Sequence, residues 1–177
     1  FFTVRDIAKE YSMSVLRFFL LSVHYRSPIN FSREIMESSK NGLERIQTAV
    51  EKMEYLMKVK KDNGSDNSVM SGDEAKILEQ IEDLNRKFDE VMDDDFNTAD
   101  AVTAIFEMVT IANVNLTAEK SFELIQKIYD KVTLLCGILG LEAIKKNEVL
   151  ETEVEQLIAE RQAARKAKDF AKSDEIR

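Results

Sequence analysis

At 177 residues, 44% apolar and 33% charged, the chain has an ordinary soluble composition and enough length for one sizeable core. Its net charge of -8 repels phosphate, so nucleic acid can be met only through a local basic patch. One Pro and five Gly are too few for a sheet-rich fold, and a single Cys excludes an internal disulfide framework and suits a reducing compartment, here read as the cytoplasm.

The chain opens on Phe-Phe rather than Met and stops inside a charged helical pattern, so it reads as a piece of a longer protein. Thr3 followed by Asp6 in TVRD predicts a helix start, an N-cap with an acid three residues later. A second helix is predicted over residues 14–25. Leu16, Phe19, Leu20 and Val23 share one face, and Val15, Phe18 and Leu21 fill much of the rest, so it is expected to be buried on most sides. Its run VLRFFLLSV contains Arg17 and is too short to cross a bilayer, and no signal peptide or membrane span is visible. RSPINFS ends it, because the residue before Pro28 is pushed out of helical geometry.

Ser32 is expected to cap a long third helix reaching about Val59, with a seam of Leu43, Ile46, Val50, Met53 and Met57. Gly42 within it costs about 1 kcal/mol relative to Ala. Met36, Met53 and Met57 read as core filler rather than a recognition groove. Residues 60–72 form a polar Gly/Ser/Asn stretch, expected to be a flexible loop. Asp73 restarts helix, with Ile77, Ile81, Leu84, Phe88 and Val91 at heptad spacing.

The stretch VMDDDFNTADAVTAIF concentrates acid beside an apolar run. Three consecutive carboxylates point in different directions, and the alternating acids, central Gly and late Glu of a calcium loop are missing. A helix start fits better. Asn97 is the expected N-cap, Thr98 begins the helix, and the acids favour its partial positive end by about 0.3–1 kcal/mol each. Val102, Ile105, Phe106 and Val109 form its seam. Thr117 is expected to cap the next helix, which carries Phe122, Ile125, Tyr129, Val132 and Cys136 and ends at Gly137 and Gly140. Cys136 has apolar neighbours and no adjacent base, so it reads as a core thiol. His24 is placed either to cap a helix end or to meet a partner, and it lacks a visible nucleophile. No Gly-rich phosphate loop is present.

A last helix is expected from about Thr152 to the end. Arg161, Arg165, Lys168 and Lys172 recur at gaps of four, three and four on one face. Residues 161–172 hold five cations and one acid, a local charge of +4. Two readings stand at this point: a solvated face with Arg165 paired to Asp169, or a contact with phosphate. With no convincing strand and no long repeat, the expected fold is an all-α antiparallel helical bundle with a helical appendage at each end.

Three blocks go further. FFTVRDIAKEYSMSVLRFFLLSVHYRSPINFS resembles the cysteinyl-tRNA synthetase family directly after its KMSKS-type signature. MDDDFNTADAVTAIFEMV resembles the DALR-type helical domain of that family, and LIAERQAARKAKDFAKSDEIR its approach to a C-terminal anticodon-binding part. The resemblance implies a class I aminoacyl-tRNA synthetase that ligates cysteine to tRNA(Cys) with ATP. It implies connector helices over residues 1–31, a DALR-type bundle over 32–147 and a basic helical segment over 148–177. ATP and zinc would belong to a catalytic domain outside this chain, leaving the chain itself without cofactor, metal or catalytic residue. The implied partners are tRNA(Cys) and that catalytic domain, with no membrane. Arg161, Arg165, Lys168 and Lys172 become the expected RNA contacts, with Arg26 added by location. The related cysteine ligase of mycothiol synthesis, and a helical protein-interaction module acting through residues 14–25, remain alternatives.

Overall fold

A computed structural model describes residues 3–65 and 70–144. Among them are six helices and no strand: α1 (Val4–Ile7), α2 (Met13–Leu21), α3 (Arg33–Asp62), α4 (Gly72–Asp93), α5 (Thr98–Asn115) and α6 (Phe122–Ile138). α4 and α5 form a hairpin, α3 lies along α6 and α2, and α5 and α6 close the bundle. The all-α expectation is borne out. The final basic helix, from about Thr152, lies outside the described residues.

Each helix start is written in a short polar side chain. Thr3 accepts from the Asp6 amide and Asp6 reaches back, Ser32 accepts from the Ile35 amide, and Asn97 accepts from the Asp100 amide. The predicted seams become the core. Leu43, Ile46, Val50 and Met53 of α3 meet Ile125, Ile128 and Val132 of α6 in one buried cluster with Ile81, Phe88, Ile105 and Val109. Met36, Met53 and Met57 are all buried, as expected of core filler. Burying a side chain of this size is worth about 1.5–3 kcal/mol. The large cluster therefore outweighs the modest propensity costs along the helices.

Gly42 is one such cost, and its neighbour explains it. A Cβ there would come within 3.0 Å of the Phe18 ring, which also meets Phe106 edge-on at 6.0 Å. The missing side chain lets α2 lie close against α3. The buried Val15, Leu16, Phe18 and Phe19 of α2 thus join the common core.

Several boundaries differ from expectation. α2 ends at Leu21 rather than reaching residue 25, with Ser22 as its C-cap, whose amide is shared between the Phe18 and Phe19 carbonyls and whose hydroxyl also donates to Phe18. Leu20, expected on the buried face, is 53% exposed. α3 continues through Lys60 and Lys61 to Asp62, two cations that suit a helix C-terminus, so the connecting stretch begins three residues later than expected. Ser71, not Asp73, sets the start of α4.

Thr117 does not cap α6; residues 117–120 form a turn and Ser121 is the N-cap. A buried carboxylate decides this choice. Glu74, 5% exposed, accepts from the Ser71 amide and from the Ser121 amide, both at 2.9 Å. Its burial opposes ionisation, but the Ser71 and Ser121 donors outweigh that and hold its carboxyl below the usual range. One acid thereby serves the N-termini of both α4 and α6. At the far end of α6, Gly137 lies within the helix, and Gly140, at φ +64°, makes the turn out of it.

Candidate nucleic-acid interface

Arg161, Arg165, Lys168 and Lys172 lie outside the described residues. Arg26 is the predicted RNA contact with a described position. It is 68% exposed at its side chain, in the segment joining α2 to α3, and it is held by an acid. Its Nη1 lies 2.9 Å from Asp95 Oδ2, and Nη2 donates to Asp95 Oδ1 at 3.2 Å. Tyr25 Oη donates to the same Oδ1 at 2.7 Å, which raises the Tyr25 phenol pKa. His24 stacks on the Tyr25 ring, and its Nε2 stands 3.9 Å from Asp95 Oδ2. His24, expected either to cap a helix end or to meet a partner, lies against Tyr25 and Asp95 of its own chain. Arg26 is first an anchor, and a phosphate would have to share its guanidinium with Asp95.

The backbone makes this possible. Asp95 and Phe96 stand at φ +61° and +52°, two successive non-glycine residues in the left-handed region. The Phe96 amide donates to Met92 O and the Asn97 amide to Val91 O, closing the last turn of α4. Asp tolerates this conformation locally, whereas Phe bears roughly 1–2 kcal/mol. The turn presents Asp95 towards Tyr25 and Arg26 and leaves Phe96 68% exposed.

This corrects the reading of the acidic stretch as helix-start acids. Asp93 is the last residue of α4 and Asp94 its C-cap, the end where negative charge is unfavourable; only Asp100 lies in the first turn of α5. Asp95 instead ties two elements together. Sequence reasoning missed this pairing, since no local spacing links residue 26 to residue 95. The one available signal was an Asp standing two residues before the N-cap Asn97.

Several other described cations are also matched to acids, among them Arg33 with Glu10, Lys87 with Glu107, Lys127 with Glu123, and Lys131 with Glu82. These exposed or half-exposed pairs are worth little individually. They do reduce the charge available to an anionic partner. Besides the buried Glu74, α4 holds seven carboxylates against Lys76, Arg86 and Lys87, which makes its outer surface unfavourable for RNA.

Among the described residues, no three His, Cys, Asp or Glu side chains converge as a metal would require. The donor set does not fit zinc: His24 is beside Asp95, whereas Cys136 is fully enclosed and burial pushes its thiol up to about 12. The core-thiol reading of Cys136 is borne out. Nor is any described helix long and apolar enough to cross a membrane.

Residues 87–143 match the family described as DALR domain, and residues 1–41 match the family described as tRNA synthetases class I (C) catalytic domain. All 177 residues align with proteins named cysteine–tRNA ligase. Identity is 61% with that of Lachnoclostridium phytofermentans, 54% with that of Lachnospira eligens and 41% with that of Clostridioides difficile. The alignments cover 38%, 36% and 37% of those relatives, so the chain spans a little over a third of their length. The resemblance drawn from three sequence blocks is thus borne out from end to end. The Arg26–Asp95 contact joins the two matched regions.

Proposed function

We infer that this chain is the helical, tRNA-positioning part of a cysteine–tRNA ligase, a cytoplasmic class I aminoacyl-tRNA synthetase whose bond-making residues lie elsewhere in the polypeptide. The end-to-end alignment with three ligases of that name carries this reading. In it, ATP and zinc belong to the catalytic domain, cysteine is activated there, and this chain performs no chemistry. Residues 1–31 connect to that domain, residues 32–147 form the DALR-type bundle, and residues 148–177 lead on to a further anticodon-reading piece.

The bundle supports the role physically. Its helices share one continuous core, which makes a stiff spacer rather than a set of hinged pieces. Such a spacer holds tRNA at a set distance from a catalytic centre, and positioning of this kind is served by backbone rather than base contacts. Arg161, Arg165, Lys168 and Lys172 are the phosphate contacts in this reading, with Arg26 in second place because Asp95 already holds it.

Binding of a fluorescent tRNA(Cys) transcript to the 177-residue chain, followed by anisotropy across salt, tests the assignment. Weak binding that falls steeply with salt and drops when Arg161, Arg165 and Lys168 are changed to Ala is expected. Binding indifferent to both salt and these changes refutes the phosphate contacts. ATP–pyrophosphate exchange by this chain alone would refute its non-catalytic role.

A further inference from the structure

The segment between α2 and α3 forms no regular helix, yet its tip is held at a fixed place. Inside it the Ser27 amide donates to the His24 carbonyl at 2.8 Å, and the Arg26 amide to His24 Nδ1 at 3.3 Å. The side chains of His24, Tyr25 and Arg26 then converge on one carboxylate, Asp95, in the turn between α4 and α5. The Tyr25 phenol and both arms of the Arg26 guanidinium lie within 3.2 Å of it. The three side chains also support one another. The Arg26 guanidinium stands 5.4 Å from the centroid of the Tyr25 ring, and His24 stacks on that ring at 4.9 Å.

This clamp returns little stability. The Arg26 side chain is mostly in water and that of Asp95 about a third exposed, and an ion pair so open is weak. The turn that presents Asp95 also carries the strain of Phe96 at φ +52°, and Phe96 is too exposed for packing to offset it. Strain kept at a contact that hardly stabilises points to a use in geometry.

The place it crosses is a joint. α2 reaches the bundle mainly through apolar packing, with Phe18 against Gly42 and Phe106, and with Ser14 donating to Glu142. Apolar burial is non-directional, whereas the paired bonds from Arg26 to Asp95 fix both a distance and an angle. The clamp therefore sets what the core packing leaves loose: how the end of the region matching the catalytic family sits on the DALR-type bundle.

We propose that Asp95 is a positioning residue for the transfer of cysteine to tRNA. By holding Tyr25 and Arg26 it fixes the angle between the catalytic domain and the bundle, and with it the delivery of the tRNA end to the reacting centre. The proposal rests on the reading of the chain as part of a cysteine–tRNA ligase. Asp95 touches no reacting group. Activation of cysteine is completed inside the catalytic domain and does not depend on it, whereas transfer to a tRNA held along the bundle does.

The test uses the complete ligase and the variant Asp95→Asn. Asn keeps the shape and tolerates the left-handed backbone but loses the charge that pairs with Arg26. Its kcat for charging tRNA(Cys) is expected to fall about tenfold, while ATP–pyrophosphate exchange and tRNA affinity by anisotropy stay within about twofold of wild type. Glu107→Gln, which breaks the exposed Lys87–Glu107 pair away from the joint, is the control and should charge within about twofold of wild type. Asp95→Asn/Arg26→Gln should charge no more slowly than the slower single variant, because both act through one contact. Arg26→Lys keeps the charge without the paired geometry, serves if Asp95→Asn unfolds, and should lose about threefold.

A parallel fall in exchange and charging overturns the proposal, since the catalytic domain itself would then be disturbed. An equal fall in tRNA affinity also overturns it, since lost contact with RNA would explain the effect. Losses that multiply in the double variant, or a control as slow as Asp95→Asn, do the same. If the wild-type ligase charges tRNA(Cys) and Asp95→Asn and Arg26→Lys match it, only this proposal falls. If the wild-type protein charges no tRNA(Cys), the reading of the chain falls and takes the proposal with it.

Discussion

Glu74 offers the sharpest test of how the bundle is held. Its carboxylate accepts from two backbone amides, Ser71 and Ser121, at the N-termini of α4 and α6. In Glu74→Gln one oxygen becomes an amide nitrogen, so one of those two buried N–H groups faces a donor instead of an acceptor. An orphaned buried donor costs about 1–3 kcal/mol. Removing the charge from two helix N-termini costs about 0.3–1 kcal/mol at each. The expected loss is therefore about 3 kcal/mol, or a fall in Tm of about 6–12 °C for a chain of this size. Thermal and urea melts followed by circular dichroism measure it. The folded carboxyl is held below its usual range, against the desolvation that would raise it. Its contribution is thus fully present above the unfolded value of about 4.3 and is lost as pH falls through the lower folded value. The gap between wild type and Glu74→Gln should be constant near neutrality and narrow below about pH 4. A loss under about 1 kcal/mol, or a gap that ignores pH, would refute the double-cap account.

Two further outcomes follow from particular packing. Gly140→Ala forces a Cβ onto φ +64° and against the Arg17 guanidinium, and should cost about 2 kcal/mol in a urea melt. Gly137→Ala, one helical turn earlier with nothing within 4 Å of its Cβ, should be neutral or stabilising by up to about 1 kcal/mol; a reversed order would contradict the assigned roles. Cys136, fully buried with its thiol pushed up to about 12, should resist a thiol-disulfide reagent in the native chain and react completely in urea. Rapid native labelling would place it outside the core.

The helices were legible because their determinants are local. A Ser, Thr or Asn followed by an apolar period of three to four marks both where a helix begins and which side it buries, and Thr3, Ser32 and Asn97 each did so. The α6 start was misplaced because Thr117 and Ser121 are equally good caps by chemistry. Leu20 was misplaced because a helix apolar nearly all round does not declare which side lacks a neighbour.

The acidic stretch shows the same division. Asn97 as N-cap was readable, while the direction in which Asp95 points was not. That direction depends on two left-handed residues and on partners 69 and 70 positions away. Of the expected RNA contacts, the sequence could pick out cations on a helical face. It could not reveal that Arg26 is already held by an acid.

Sequence alone determined that this chain is helical, where most helices start and which residues form their seams, because hydrogen-bonded caps and apolar periodicity act within a few residues. Only tertiary structure decided that Glu74 serves two helices and that Asp95 holds the segment after α2. Those arrangements depend on distances between elements remote in the chain, which packing of the shared core sets and no local spacing records.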